Sequence, residues 1–363
     1  MAKKLKPDRI LFFATLVLVG FGVAMVFSAS AVMAKEKMTG PNYFSFRQLI
    51  FATIGLAVMF VVMKVDYHAY RHPAAVFSAL AIVVSLLVLV FFLAATANTH
   101  RWIQLAGFSV QPSELAKLSL IFFLAYFLER RKGKVNDLAF TLVPVAVIVL
   151  LLAGLIVLQK DLGTAVSLLV ISGVLLFVAG LDLRWIAVSI IFALPAFYLL
   201  VSRVKYRRER ILAFLHPWEE PLGHGFQIIQ SLLSVASGGV AGLGFMEGKQ
   251  KLFYLPAAHT DFIFAVVGEE AGMIGTCAIL TLFSLFLWRG IRVSMRAPDL
   301  FGSYLALGIT MMVCVQAFIN MSVVLALLPT KGIGLPFFSY GGSSLVVMLA
   351  AVGILLNVSQ QSS

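Results

Sequence analysis

Three carboxylates lie within ten residues at the start of an apolar segment. Asp261 follows His259 and Thr260 in the stretch LPAAHTDFIFAVVGEE, which ends with Glu269 and Glu270. The macrodipole at a helix N-terminus favours the ionised form of an acid placed there. An ionised Asp261 in a partly dry, basic-lined cavity has the chemistry of a general base. It equally has the chemistry of an ion or substrate site in a transporter, and the residues alone leave both interpretations open.

Two further charged residues, Glu114 and Lys117, begin a segment that reads QPSELAK. They are three residues apart and therefore share one face of a helix. Only 11 uncharged residues separate Lys117 from Glu129, which is too short a run to span a bilayer. Both charges are therefore expected at the membrane–water interface on the extracytoplasmic side, or slightly deeper in the bilayer. They form either a local ion pair at a helix start or the lining of a polar cavity.

Two outer loops supply more candidate cations. The first, residues 203–261, contains Arg210, Lys249 and Lys251 among many large apolar side chains. These basic residues either balance lipid headgroups or bind a phosphorylated lipid. The second loop reads LLPTKGIGLPFFSYGGSS, and its Lys331 stands alone in a long stretch without other charges. A backbone broken near membrane depth must line a cavity or be buried in protein, so Lys331 is either an exposed loop lysine or a cation directed into that cavity.

The composition is that of a membrane protein. The chain is 61% hydrophobic and only 12% charged, about half the charged fraction of a soluble domain. Its mean hydropathy is +1.00. A bilayer-spanning helix needs about 20 mostly apolar residues. The apolar segments predict ten helices, at about 10–28, 47–64, 74–94, 112–129, 139–158, 163–180, 185–202, 262–288, 303–327 and 340–358.

The predicted fold class is therefore an all-α polytopic membrane protein of about ten transmembrane helices. Residues 1–363 form a single integral membrane domain. Helices 1–7 occupy 10–202, one large extracytoplasmic loop occupies 203–261, and helices 8–10 occupy 262–358.

Several common functional patterns are excluded. GGVAGLG does not follow the G-x-G-x-x-G order of a dinucleotide loop, and GFMEGKQ lacks the spacing of a phosphate loop. No His, Cys and Asp cluster has zinc-ligand spacing. Cys277 and Cys314 both fall in predicted helices, so a disulfide is not expected. The net charge of +12 does not indicate nucleic-acid binding, because there is no soluble basic domain to bind it.

Five long motifs occur in order along the chain: RWIQLAGFSVQPSELAK, QKDLGTA, HPWEEPLGHGFQIIQS, GKQKLFYLPAAHTDFIFAVVGEEAG and LLPTKGIGLPFFSYGGSS. With these motifs nearly the whole chain, about 10–358, resembles the SEDS family (shape, elongation, division and sporulation), which are ten-helix peptidoglycan glycosyltransferases. The form INMSVVLALLPTKG is more similar to the division branch than to the elongation branch, and the sporulation branch is the alternative.

The resemblance implies polymerisation of lipid II. The 4-hydroxyl of an acceptor sugar attacks the anomeric carbon of the donor, and undecaprenyl pyrophosphate leaves with inversion. Asp261 matches the essential aspartate of the family, which makes it the expected base. Developing pyrophosphate charge needs cations. The candidates are Lys331, Lys117, Arg210, Lys249 and Lys251, and Glu114, His259 and Thr260 are expected to complete the substrate site. No tightly bound cofactor is expected, and a divalent cation (magnesium or manganese) is left open.

The resemblance also implies partners and a location. The expected partners are lipid II, a class B penicillin-binding protein transpeptidase that docks by its single helix, and other division proteins. The expected location is the bacterial inner (cytoplasmic) membrane, at the division septum. Two alternative functions remain open at this point: a lipid II flippase, which is a transporter, and a scaffold that only recruits the transpeptidase.

Orientation gives a testable prediction. Basic residues of short loops collect on the cytoplasmic side of membrane proteins. Placing both termini in the cytoplasm puts the clusters around Arg130 and Arg292 inside, and the loop 203–261 outside. A cysteine introduced at Glu220 should therefore react with an impermeant maleimide added from the outer side. Labelling that appears only after the membrane is permeabilised would overturn this orientation.

Overall fold

The fold is built almost entirely from helices. The structure is a computed structural model that describes residues 6–36, 43–93, 101–105, 108–223, 225–249, 251, 255–256 and 258–361. The helices are α1 (Arg9–Glu36), α2 (Tyr43–Lys64), α3 (Pro73–Leu89), α4 (Pro112–Arg130), α5 (Val143–Leu158), α6 (Leu162–Val178), α7 (Leu183–Ser202), α8 (Lys205–Leu215), α9 (Phe226–Ser237), α10 (Ile263–Arg296), α11 (Leu300–Val324) and α12 (Gly342–Gln361). One antiparallel pair, β1 (Ile103–Leu105) and β2 (Phe108–Val110), aligns Ile103 with Val110.

The helices lie where the apolar segments predict them. Among the described residues, seven helices are long and apolar enough to cross a membrane: α1, α2, α3, α10, α11, α12 and the segment Leu138–Leu158 that contains α5. The multi-pass helical class is therefore confirmed. The exact count of ten crossings stays a prediction, because α6 and the apolar part of α7 are shorter and α4 carries two charges in its first turns. The loop 203–261, named the outer loop after its predicted side of the membrane, contains two short helices, α8 and α9.

The core lies where α4, α11 and α12 meet their neighbours. Leu120, Ile309 and Leu349 are fully buried there. The largest helix contacts join α2 to α12, α10 to α11, and α4 to both α3 and α11. Peripheral helices instead present apolar side chains outward, such as Phe192 on α7, which is 73% exposed. Apolar side chains facing outward are what a bilayer demands, since lipid replaces water as the solvent.

A polar cluster fastens the ends of the helices at the α2–α3 turn. The Tyr67 backbone N–H donates to Asn357 Oδ1 at 2.9 Å, and Asn357 Nδ2 donates to Met63 O at 2.8 Å. The Tyr67 hydroxyl donates to Asp299 Oδ2 at 2.6 Å. Asp299 also accepts from Gly302 N–H and so caps α11. The ends of α2, α11 and α12 are thereby fixed relative to one another.

The longest helix, α10, is interrupted at Gly272, where the backbone is non-helical (φ 62°, ψ −158°). Two of the helical bonds that would span this point, from residues 273 and 274 to residues 269 and 270, are replaced. The replacement bonds are Met273 N–H to Gly239 O (2.9 Å), Ile274 N–H to Val240 O (3.2 Å), Leu243 N–H to Glu269 O (3.0 Å) and Gly244 N–H to Glu270 O (3.0 Å). A broken backbone at membrane depth is tolerated when protein groups satisfy it.

The loop that fills this break contains the glycine-rich run GGVAGLG. Gly242 has a positive φ of 83°, and a Cβ there would collide with the backbone at Glu270 and Ala271. The glycines therefore serve close backbone approach, which physically explains a run that superficially resembles a nucleotide loop. The predicted continuous helix over 262–288 is corrected to an outer section, 263–271, and an inner section from 273 to 296.

Replacing Gly272 by alanine should destabilise the folded protein. Its φ/ψ pair belongs to a region that is essentially restricted to glycine, and such strain costs about 1–3 kcal/mol. An added Cβ would also meet the backbone of Val240 and Gly242. Thermal unfolding in detergent should show a clear fall in Tm. The matched control is Gly154→Ala in α5, where a Cβ meets open space, and it should be neutral or slightly stabilising. Equal Tm values for the two variants would contradict the assigned break.

Candidate functional site

The main chain before α10 is held in place by three hydrogen bonds from the last outer loop and α11. These bonds are Tyr340 N–H to His259 O (3.0 Å), Ser339 Oγ to Thr260 O (2.5 Å) and Asn320 Nδ2 to Asp261 O (2.7 Å). Asn320 Nδ2 also donates to Ile333 O at 2.7 Å, so one amide joins the two segments. The backbone that carries Asp261 is therefore fixed at three successive residues.

The Asp261 side chain lies among charged groups of several segments. The positive charges of Arg101 and Arg210 attract the Asp261 carboxylate, and the negative charge of Asp161 repels it. A Cβ added to Gly332 would lie 3.2 Å from Asp261 Oδ2 and 3.6 Å from Arg101 Nη1, so the aspartate and Arg101 approach the same glycine. The absence of a side chain at that residue keeps this approach to the carboxylate open.

Enclosure by protein raises the pKa of Asp261 to about 6. Arg101 and Arg210 lower this pKa, while the like charge of Asp161 raises it. Burial is the largest of these effects, so the pKa of Asp261 lies above its usual value. A carboxyl with a pKa near 6 is ionised at neutral pH yet more basic than a solvated aspartate, which are the two properties a general base needs.

The turn between α5 and α6 organises the groups around the aspartate. Arg101 Nε donates to Gln159 O at 3.3 Å, and Arg101 Nη2 donates to Lys160 O. Asp161 caps α6 by accepting from Thr164 N–H (3.2 Å) and Thr164 Oγ1 (2.9 Å). This turn therefore holds the Arg101 side chain by two hydrogen bonds and contributes the Asp161 carboxylate to the same region.

Lys331 reaches this cluster from the last outer loop. Burial lowers the pKa of Lys331, and the nearby charge of Asp161 opposes that shift. The neighbouring carbonyl of Thr330 accepts from Arg210 Nη1 at 3.2 Å, which joins the loop to α8. Of the predicted cations, Arg210 thus acts on Asp261 itself, and Lys331 lies near Asp161 in the same cluster. The predicted residues His259 and Thr260 precede Asp261 in the chain, and the His259 ring packs against the rings of Phe44 and Tyr340.

Glu114 and Lys117 form a buried pair behind the loop. Lys117 Nζ donates to Glu114 Oε1 at 2.9 Å and to Gln316 Oε1 at 2.5 Å. Gln316 Nε2 then donates to Gly334 O at 2.9 Å. The pair lies inside the protein, and its hydrogen bonds lead to the backbone of the loop rather than to the Asp261 carboxylate.

Lys249 and Lys251 are placed differently from the other predicted cations. The Lys249 side chain is exposed on the loop, and its backbone N–H donates to Glu269 Oε1 at 2.6 Å. Lys251 is buried, and Lys251 Nζ donates to Glu270 Oε1 at 2.6 Å and to Ser28 Oγ at 2.9 Å. Its ammonium is therefore committed within the protein, which disfavours the predicted contact with a substrate. Both glutamates accept hydrogen bonds from this loop.

Two charged residues of the cluster were absent from the predicted site. Arg101 and Asp161 lie in short outer loops, within the motifs RWIQLAG and QKDLGTA. The capping pattern, Asp161 followed by Thr164, was the available signal for the second. Throughout the described part of the chain, no three His, Cys, Asp or Glu side chains are grouped closely enough to hold a metal ion.

Comparison with known proteins decides the family. The family model described as "Cell cycle protein", which groups FtsW, RodA and SpoVE, matches residues 9–363. The chain belongs to the FtsW/RodA/SpoVE family. This confirms the resemblance to SEDS proteins that the five motifs carry.

Relatives of FtsW/RodA/SpoVE type match the chain over almost its full length. A probable peptidoglycan glycosyltransferase FtsW of Geobacter metallireducens is 47% identical over 353 residues, covering 97% of this chain and 94% of the relative. Stage V sporulation protein E of Bacillus subtilis is 46% identical over 361 residues, covering 99% of each. Both the division and the sporulation branches are therefore similar to this chain.

Two solved structures of the FtsW/RodA/SpoVE family share the fold. A chain from a peptidoglycan synthase complex that coordinates polymerization and crosslinking has a TM-score of 0.79, with 32% identity and 97% coverage of both chains. The rod shape determining protein RodA of Thermus thermophilus has a TM-score of 0.72, with 27% identity and coverage of 97% of this chain and 96% of RodA.

Proposed function

We propose that this protein is a peptidoglycan glycosyltransferase that polymerises lipid II on the outer side of the bacterial inner membrane, in septal wall synthesis. The observation that carries the proposal is the enclosed Asp261, with a pKa of about 6, among the cations Arg101, Arg210 and Lys331. The relatives named probable peptidoglycan glycosyltransferase FtsW support the same activity.

The first half of the reaction needs a base. The Asp261 carboxylate takes the proton from the 4-hydroxyl of the acceptor sugar as that oxygen forms a bond to the anomeric carbon of the donor. The three hydrogen bonds to the backbone of residues 259–261 hold the carboxylate in place, and fixed geometry is a large part of catalytic power. Attack from the face opposite the leaving group gives inversion, with no covalent intermediate on the enzyme, as in inverting glycosidases.

The second half of the reaction needs positive charge. As the bond from the anomeric carbon to the pyrophosphate oxygen breaks, its electron pair remains on undecaprenyl pyrophosphate. Arg101, Arg210 and Lys331 are proposed to stabilise this developing charge. A divalent cation, with Asp161 and Asp261 as the carboxylates of the cluster, would add to that stabilisation. Loss of polymer on chelation would test it.

The buried pair Glu114–Lys117 supports the site from behind. Through Gln316 it holds the backbone at Gly334, in the same loop as Lys331. We therefore assign this pair to positioning of the loop. Lys249, exposed on the outer loop, stays a candidate for binding the pyrophosphate or lipid headgroups.

The protein is proposed to work with a transpeptidase. The similar chain of known structure comes from a peptidoglycan synthase complex that couples polymerization to crosslinking. A class B penicillin-binding protein that docks by its single helix, together with other division proteins, is the corresponding partner here. The chain is a multi-pass membrane protein, and both termini are proposed to be cytoplasmic.

Asp261→Asn should nearly abolish polymer formation from lipid II by the purified protein with its partner. Asparagine keeps the size of the side chain but cannot take up the proton, and a positioned base typically supplies ~10²–10⁴-fold in rate. Wild-type activity should also fall as the pH drops below about 6, because protonation of Asp261 removes the base. The measurement is glycan polymer resolved on a gel over a pH series.

The control for this experiment is Glu220→Gln, an acid-to-amide change on the exposed outer loop, which should keep the wild-type rate. Lipid II binding and the transpeptidase complex should survive in Asp261→Asn. Polymer made at the wild-type rate by Asp261→Asn would disprove the catalytic role. Transbilayer movement of lipid II without any polymer would indicate a flippase, and full tolerance of the change in cell division would indicate a scaffold.

Lys331→Glu should lower polymerisation by ~10²-fold, the usual cost of losing one group that stabilises developing negative charge. The protein should still fold and insert, because Lys331 makes no part of the helix core. The matched control is Lys205→Glu on α8, whose side chain is 84% exposed. If both variants polymerise lipid II equally well, the cation at residue 331 has no role in the reaction.

A further inference from the structure

The two glutamates of the motif VVGEE bind the loop that fills the break in α10. Glu269 Oε1 accepts from Lys249 N–H at 2.6 Å, and Glu270 Oε2 accepts from Met246 N–H at 3.1 Å. The other oxygen, Glu270 Oε1, accepts from Lys251 Nζ (2.6 Å) and Ser28 Oγ (2.5 Å). One buried carboxylate therefore joins the outer loop, α10 and α1.

The ion pair between Lys251 and Glu270 has no access to solvent to weaken it. The two side chains are 3% and 1% exposed. Removing one partner of a buried pair is strongly destabilising, because it leaves a charge without compensation, whereas replacing both by neutral groups is often tolerated. A buried pair is therefore weak evidence for net stability, and here it joins the outer loop to α10. The segments that this pair joins extend to Asp261.

Both ends of the segment between Lys251 and Asp261 are anchored. Lys251 is held by Glu270 and Ser28, and the Asp261 end is held by α11 and the last loop. The outer section of α10, residues 263–271, connects Asp261 to Glu270 over roughly 13 Å at 1.5 Å per residue. This section is also held by Ser234 Oγ on α9, which donates to Ala265 O at 3.0 Å. Lys251, the outer section of α10 and Asp261 thus belong to one anchored unit, called the frame below, with Asp261 just before the helix section.

We propose that Lys251 and Glu270 are positioning residues for Asp261, acting through the outer section of α10, and that Lys251 does not bind the substrate pyrophosphate. The inference rests on the proposed function for its kinetic consequences. It assigns the buried lysine of the outer loop a different task from Arg210 and Lys331, which belong to the charged cluster around Asp261 and Asp161.

The test is a double-mutant cycle of Lys251→Met, Glu270→Gln and the two together. Each single variant leaves one buried charge unpaired and should shift the frame. A displacement of about 1 Å at a reacting group can cost ~10²-fold, so kcat for polymerisation should fall by that order while KM for lipid II stays unchanged. The double variant, which buries no charge, should recover to within about tenfold of wild type.

Other outcomes of the cycle would overturn the proposal. A double variant as inactive as Lys251→Met, with a raised KM, would make Lys251 a substrate-binding cation. Lower yields of folded protein with wild-type kcat in the folded fraction would give the pair a role in stability alone. The milder Ser28→Ala removes only the hydrogen bonds to α1. It should fold well and lower kcat a few-fold at constant KM, and wild-type kcat in this variant would also count against the proposal.

A readout without turnover separates this inference from the proposed function. Hydrogen exchange of the backbone amides of residues 259–265 should quicken in both single variants and return to the wild-type rate in the double variant. Unchanged exchange in the single variants would reject the positioning role, whatever the activity. If the wild-type protein makes no polymer, the proposed function is rejected. The exchange experiment would still decide whether Lys251 and Glu270 position Asp261.

Discussion

The break in α10 is the constraint on which the arrangement of the candidate site and its loops depends. Inside a membrane, each backbone N–H and C=O must find a partner in the protein. The interruption at Gly272 leaves the N–H groups of residues 273 and 274 and the carbonyls of residues 269 and 270 without their helical partners. The loop containing Gly239 and Leu243 supplies backbone partners for them, and the glutamates at 269 and 270 hold the loop in place. A short helix section is thereby separated from the rest of α10 and directed at the site.

At the end of that section, opposing electrostatic effects are balanced at one carboxylate. Enclosure by protein favours the neutral form of Asp261, and Arg101 and Arg210 favour the charged form. Neither effect alone would give a useful base, since full burial without cations would keep the acid protonated and full pairing would make it a weak base. The last outer loop participates twice, through Lys331 as a charge and through Gly332 as a residue that leaves space.

Much of the fold can be predicted from the sequence, because a helix that spans a lipid bilayer must be long enough and mostly apolar. All ten apolar segments coincide with helices, and Asp261, Arg210 and Lys331 were recognised as chemistry-bearing residues. The break at Gly272 could not be predicted, since glycine is common in transmembrane helices and AGMIG contains no other breaking signal. Arg101 and Asp161 were missed because pairing across loops is decided by tertiary packing. The pairing of Lys251 with Glu270 could not be predicted for the same reason.

Chain order determines the order in which the site can assemble during synthesis. The frame and the site are held by groups from different parts of the chain. Ser28, Met246 and Lys251, the partners of Glu270, all precede it, so a growing chain already holds them when α10 enters the membrane. The groups that hold the backbone at residues 259–261 come from Asn320 and from the loop just before α12. The frame can therefore close early in synthesis, while the site itself is completed only by the last stretch of the chain. A nascent protein stopped before α11 would carry the aspartate without the hydrogen bonds that hold it.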